Sequence, residues 1–285
     1  MTVLLSGVVM SVSGPLVRLL DQATEWQFLA FRSAGIVTIL LAYLLGRDGS
    51  SCIENLRRSG WTAVAAGFFL ACAFTSIVFA LLNTTIANTL FLASTAPFLT
   101  ALLGRWFLGE QPTNLTWAAI GIAVVGALVM VVDGLSKGDW FGDVTALGAA
   151  VGFACFSVTI RHGRSRDMVP AVLYAGLISG TLGTAMALVT GVGLGISVAD
   201  AVASAAYGII GISAGLGLYV LGSRNVPAAE LNLLVQGEIV LAPIWVWWGF
   251  GEVPSSLTLT GGAIILAAIT IQGLGGIRAQ SATPS

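Results

Sequence analysis

The chain has 285 residues, 56% of them hydrophobic and only 9% charged, with a mean hydropathy of +0.95 and a formal net charge of -1. A soluble domain carries about 25% charged residues, and 12 Lys and Arg with 13 Asp and Glu could not cover a water-facing surface of this size. The solvent must be lipid, and with no basic run beyond Arg161 to Arg166, nucleic acid is excluded as a partner.

A bilayer core about 30 Å thick needs roughly 20 apolar residues per helix. Ten stretches meet that requirement: 3–20, 27–46, 60–82, 86–108, 115–132, 144–161, 169–190, 203–222, 229–250 and 257–275. The opening MTVLLSGVVM lacks a basic n-region and a small-x-small cleavage site, so it reads as a retained first span rather than a signal peptide. Pro15 interrupts this span, and Arg18 lies near its outer end. The second span carries Arg32 about six residues inside, where it can snorkel to the surface or pair with Asp21 or Glu25. Thr75 and Ser76 give the third span a polar edge beside Phe74 and Phe79. The fourth has a stripe of Asn88, Thr89, Ser94 and Thr95, followed by Pro97.

Farther along, Phe153 and Phe156 in the sixth span and Tyr207 and Tyr219 in the eighth are aromatic groups that could stack on a solute. The pairs Gly148/Gly152, Gly176/Gly180 and Gly211/Gly215 have the spacing of close helix approach. The ninth span is the most polar. Glu238 lies deep within it, either facing a cavity as a substrate or proton contact or hydrogen-bonding a neighbouring helix; an ionisable group there costs about 2.5–3.5 kcal/mol even on lenient insertion scales. Glu230 is two turns away, and Asn232 and Gln236 form an adjoining stripe suited either to a zwitterion or to interhelical bonding. Pro243 interrupts the helix before Trp245, Trp247 and Trp248, which read as an interfacial belt. Cys52, Cys72, Cys155 and the single His162 have no metal-ligand spacing, so neither metal nor cofactor is expected.

One phrase occurs twice. WFLGEQPTNLT, from Trp106 to Thr116, returns as WGFGEVPSSLT, from Trp248 to Thr258, with six of eleven positions identical at an offset of 142. The offset also maps Asn83 to Asn225, Ala87 to Ala229, Leu99 to Leu241 and Ile122 to Ile264. The expected architecture is all-α: ten transmembrane helices in two five-helix repeats, 1–135 and 136–285. Five is odd, so the second repeat must be inverted, as in many secondary transporters. Gly109 and Gly251 suit a left-handed helix end, Pro112 and Pro254 forbid continuation, and Asn114 and Ser256 or Thr113 and Ser255 can cap the next helix. Glu110 and Glu252 then serve as hairpin anchors. Nine arginines fall at one set of helix ends and only Lys137 in a loop at the other, which predicts both termini in the cytoplasm.

Two apolar helices flanking Gly-Glu-x-Pro, written once per half, resemble the drug/metabolite transporter superfamily, and more narrowly its EamA-type exporters. The match rests on APFLTALLGRWFLGEQPTNLTWAAIGIAVVGALVMV, on LNLLVQGEIVLAPIWVWWGFGEVPSSLTLTGGAIILAAI and on Phe31-Arg32. Glu238 followed by Pro243-Ile244-Trp245 looks closest to the branch that exports aromatic amino acids. The resemblance implies a bacterial inner-membrane protein and a central cavity bounded by helices 1, 3, 4, 6, 8 and 9. The expected function is therefore export of small amphipathic metabolites, amino acids foremost, by alternating access. Candidate cavity residues are Glu238, Asn232, Gln236, Asn88, Ser94, Thr75, Phe79, Phe156 and Tyr207; Pro15, Pro97, Pro243, Glu110 and Glu252 are the gating or structural set. Expected partners are a small-molecule substrate, membrane lipid and, as a candidate, protons. No Walker motif is present, so no ATPase is expected. The alternatives are an intramembrane enzyme, which needs a convergent catalytic set, a passive channel, and a carrier of phosphorylated metabolites or nucleotide sugars.

Overall fold

The computed structural model describes residues 8–163, 169–214 and 237–281, and every regular element among them is helical. Apart from a short helical link at Gly49–Ser51 and Cys52–Arg58, these are in chain order α1 (Val8–Arg18), α2 (Glu25–Asp48), α3 (Gly60–Asn83), α4 (Ile86–Leu108) and α5 (Asn114–Lys137). Then come α6 (Trp140–His162), α7 (Val169–Val189), α8 (Val198–Ser213), α9 (Glu238–Phe250) and α10 (Ser256–Ser281). Seven of them, α2 to α7 and α10, are long and apolar enough to cross a membrane; α1, α8 and α9 are shorter. Glu230, Asn232 and Gln236 lie outside the described residues.

Local chemistry sets the helix ends. Thr24 opens α2 with a capping box: its hydroxyl accepts from the Gln27 backbone N–H, and the Gln27 side chain accepts from the Thr24 N–H. Gly109 and Gly251 both take the left-handed conformation, at φ 69° and 70°. Of the two capping registers open to the sequence, Thr113 and Ser255 are used, accepting from the N–H groups of Thr116 and Thr258. Pro97 begins the second segment of α4 after a break at Ser94–Thr95. The hydroxyls of these two residues donate to the Phe91 and Leu92 carbonyls, at 2.6 and 2.7 Å. Acceptors in the preceding turn are thereby satisfied where lipid offers no hydrogen bond.

The α3 and α6 helices pack most intimately, with Gly142, Gly148 and Gly152 of α6 lying against Asn83, Ser76 and Ala73 of α3. Small residues let backbones approach, and in lipid that contact, rather than the hydrophobic effect, holds helices together. A Cβ added at Gly152 would come within 2.8 Å of the Ala73 backbone nitrogen. Gly152→Ala should therefore cost about 1–3 kcal/mol through overpacking, read as a fall in the thermal midpoint in detergent.

The other main packings are α2 on α7, α3 on α7, α4 on α6, α1 on α9, α2 on α8, α4 on α9 and α5 on α10. Two apolar centres result. One gathers Phe91, Phe98, Met130 and Ile265 from α4, α5 and α10. The other gathers Val17, Phe28, Val78, Ile86, Tyr207 and Val246 from six helices. The outer face of α5 instead exposes Val124, Val125, Leu128 and Val132, as a lipid-facing surface requires.

Candidate functional site

Five helices bring polar groups together in the second of these centres. Arg32 of α2 is 1% exposed, with its guanidinium 4.5 Å from the ring centre of Phe74 and 5.2 Å from that of Tyr207. It donates through Nη1 to the Phe74 carbonyl oxygen at 3.1 Å. Tyr207, 8% exposed, opens the π-helical part of α8, Tyr207–Ala214, where the Ser213 hydroxyl reaches back to the Gly208 carbonyl at 3.0 Å. Ser13 of α1 lies against the same π-helical stretch, where a Cβ added at Gly211 would come within 3.0 Å of the Ser13 Cβ. Ser13 Oγ in turn donates to Glu238 Oε1 of α9, at 3.5 Å. Arg32, Phe74 and Tyr207 thus form one contact set, joined to the Ser13–Glu238 contact through α8.

Arg32 departs from expectation. It neither snorkels nor pairs with Asp21 or Glu25: the Asn83 side chain donates to Glu25 at 3.1 Å, and the Asp21 backbone N–H donates to Asp200 at 3.0 Å. A position about six residues into the span does not fix the direction in which the side chain leaves the helix. Trp245 differs likewise, because its indole N–H donates to Ser11 at 3.0 Å inside the bundle, while Trp247 and Trp248 remain exposed.

The remaining candidates lie elsewhere. Ser94 and Thr75 donate to carbonyls of their own helices, at Phe91 and Ala71. Phe79 stacks edge-on against Trp26 at 4.9 Å, and Phe156 packs on Phe153 at 5.7 Å. Pro15 lies in α1 and Pro243 inside α9, the latter flanked by buried Ala242. Asn88 belongs to a separate network. Its Nδ2 donates to Asp143 Oδ1 at 2.8 Å, Thr84 donates to the same oxygen at 3.1 Å, and Thr258 donates to Asn88 Oδ1 at 2.7 Å. Asp133 closes the network, accepting from Ser255 and from Lys137 at 2.5 and 2.6 Å. The apolar stretches 115–132 and 144–161 stop just short of Asp133 and Asp143, but the structure buries both, near the end of α5 and in the first turn of α6.

The two repeated glutamates also find partners that their sequence context does not name. Glu252 pairs with Arg18 at 2.5 Å, and its other oxygen accepts from the Ile86 N–H that opens α4, at 2.7 Å. Glu110 pairs with Arg161, at 2.9 Å. Each arginine closes a helix of the other half of the chain, α1 for Glu252 and α6 for Glu110, and the two arginines are 143 residues apart where the glutamates are 142 apart. The bridges lie at opposite ends of the bundle. Ser255 at the start of α10 bonds Asp133 near the end of α5, so the stretch of α5 from Asn114 to Asp133 puts about 29 Å between that contact and the Glu110 loop.

Such a fold, with seven helices long and apolar enough to cross a membrane among the described residues, defines a polytopic helical membrane protein. Its family likeness is to EamA-like transporters: residues 1–132 match that family's model, as the motifs of the first half indicated. Two related proteins, the pseudopaline exporters CntI of Pseudomonas aeruginosa strains UCBPP-PA14 and PAO1, are 27% identical over 248 residues, which is 84% of this chain and 82% of theirs. A solved crystal structure superposes over 97% of both chains with a TM-score of 0.68 at 17% identity, a likeness of fold.

Proposed function

We propose that the chain is a secondary transporter of the bacterial inner membrane. In this reading it exports small amphipathic metabolites, amino acids foremost, by alternating access between inverted halves 1–135 and 136–285. The observation that carries the reading is an exchange symmetry in the packing. Swapping helix n for n + 5 turns α3 on α7 into α8 on α2, and α4 on α6 into α9 on α1, while α2 on α7, α4 on α9 and α5 on α10 map onto themselves. The Arg18–Glu252 and Arg161–Glu110 bridges exchange in the same way, which suits two bundles that rock about a midplane centre. Export as the direction is supported by the named activity of the two Pseudomonas relatives.

Glu238 is the contact for a substrate ammonium or for a proton, with Ser13 holding its carboxyl. Purified protein in liposomes, loaded with labelled amino acids and with pseudopaline at several pH values, tests the reading directly. Saturable counterflow of at least one of these supports it, and none at any pH would remove it. Glu238→Gln should reduce transport roughly tenfold or flatten its pH profile. An unchanged rate and profile would take Glu238 out of the mechanism. Cytoplasmic placement of both termini is tested with terminal tags probed in intact cells.

A further inference from the structure

We infer that Arg32 is the seat of a substrate carboxylate, and that the centre selects zwitterions whose ammonium lies at Glu238. The inference rests on the transporter reading above and specifies its ligand. A guanidinium has five N–H donors and stays charged in a protein. Arg32 uses one of them on the Phe74 carbonyl, its Nε has no hydrogen-bond partner, and no carboxylate lies within salt-bridge range among the described residues. The side chain is nonetheless almost wholly buried. Two aromatic faces attract the cation but leave its in-plane donors free. Among the described residues this buried charge has no counter-ion, an unfavourable arrangement, and a ligand that completes it has a defined chemistry: a planar anion able to take two parallel N–H bonds, as a carboxylate does.

The rest of the constellation fixes the other end of the ligand. Glu238 has Ser13 as its described donor, and Ser13 lies against Gly211 on α8, the helix whose Tyr207 ring faces Arg32. A solute carrying both charges would complete both groups at once, whereas a simple amine or a simple acid would leave one of them uncompensated. Phe74 and Tyr207 supply the apolar surface between. Phosphate is a poorer match, because no second cation approaches Arg32 among the described residues.

Binding to detergent-solubilised full-length protein, followed by tryptophan fluorescence, tests this with three probes: L-phenylalanine, phenylalaninamide without the carboxylate, and 3-phenylpropionate without the ammonium. Wild type should prefer phenylalanine to either analogue by roughly tenfold or more. Arg32→Gln should abolish the preference over the amide and keep that over phenylpropionate; Glu238→Gln should do the reverse. If Arg32→Gln fails to fold, Arg32→Lys decides, because it keeps the charge but loses the fork and must shrink the preference over the amide. A preference that survives in the folded Arg32 variant overturns the assignment, and so does a wild type that binds none of the three. Neither result touches the transporter reading, which stands or falls on counterflow in liposomes.

Discussion

Arg18→Ala is expected to cost about 3–5 kcal/mol of stability, whereas Arg161→Ala should cost no more than about 1 kcal/mol. The two bridges share one sequence phrase and one pattern of connection, yet their surroundings differ. The Arg18 and Glu252 side chains are 24% and 18% exposed, against 50% and 44% for Arg161 and Glu110. Arg18 also donates to the Leu81 and Thr84 carbonyls, at 3.2 and 3.1 Å, so it ties the end of α3 as well as the α9–α10 loop. Its loss leaves a carboxylate and two carbonyls short of donors in a place that water reaches poorly. Solvated Arg161 leaves nothing comparable. Unfolding of the purified protein in mixed micelles, with a double-mutant cycle for each pair, measures both. Equal coupling energies would mean that the two ends are held alike. If the costs divide as expected, the end bearing Glu252 is the one closed in this conformation.

Asn88→Ala should be the other severe change, at about 3–5 kcal/mol. This amide joins α4 to two helices at once, giving to Asp143 on α6 and taking from Thr258 on α10. Asp143 Oδ2 already lacks a hydrogen-bond partner, so removing Asn88 would leave Thr84 as the one described donor to a buried carboxylate. Thr84→Val removes one bond of the same network and should cost less, about 1–3 kcal/mol. Pairing Asn88→Ala with Asp143→Asn, which removes the charge that Asn88 serves, should recover part of the loss. Additive effects in that pair would show that the amide acts through Thr258 instead.

How much of this was legible beforehand depends on what lipid enforces. The seven long spans, the Gly-Pro hairpins and the duplicated phrase could be read because an unsatisfied backbone group in a bilayer is so unfavourable that length and turn chemistry have little freedom. Azimuth around a helix has no such constraint. Arg32 could have faced lipid, loop or interior from the same position, and only packing against Phe74 and Tyr207 decides. Asp133 and Asp143 were misplaced because an apolar window ends where the first charge appears, while the helices continue through it. The arginine partners of Glu110 and Glu252 left a usable trace: two arginines whose spacing matches that of the glutamates to within one residue. The trace gains meaning once each arginine is seen beside its glutamate.

The wide winding that begins at Tyr207 has a consequence for how the centre could change shape. A π turn encloses one more residue than an α turn, so the stretch Tyr207–Ala214 holds slack chain. Taking up a single residue would swivel one side of the segment against the other by about 100°, enough to lift the phenol off the guanidinium while every peptide group kept a neighbour to bond. Reshaping of that kind needs no melted backbone in a medium that would not tolerate one.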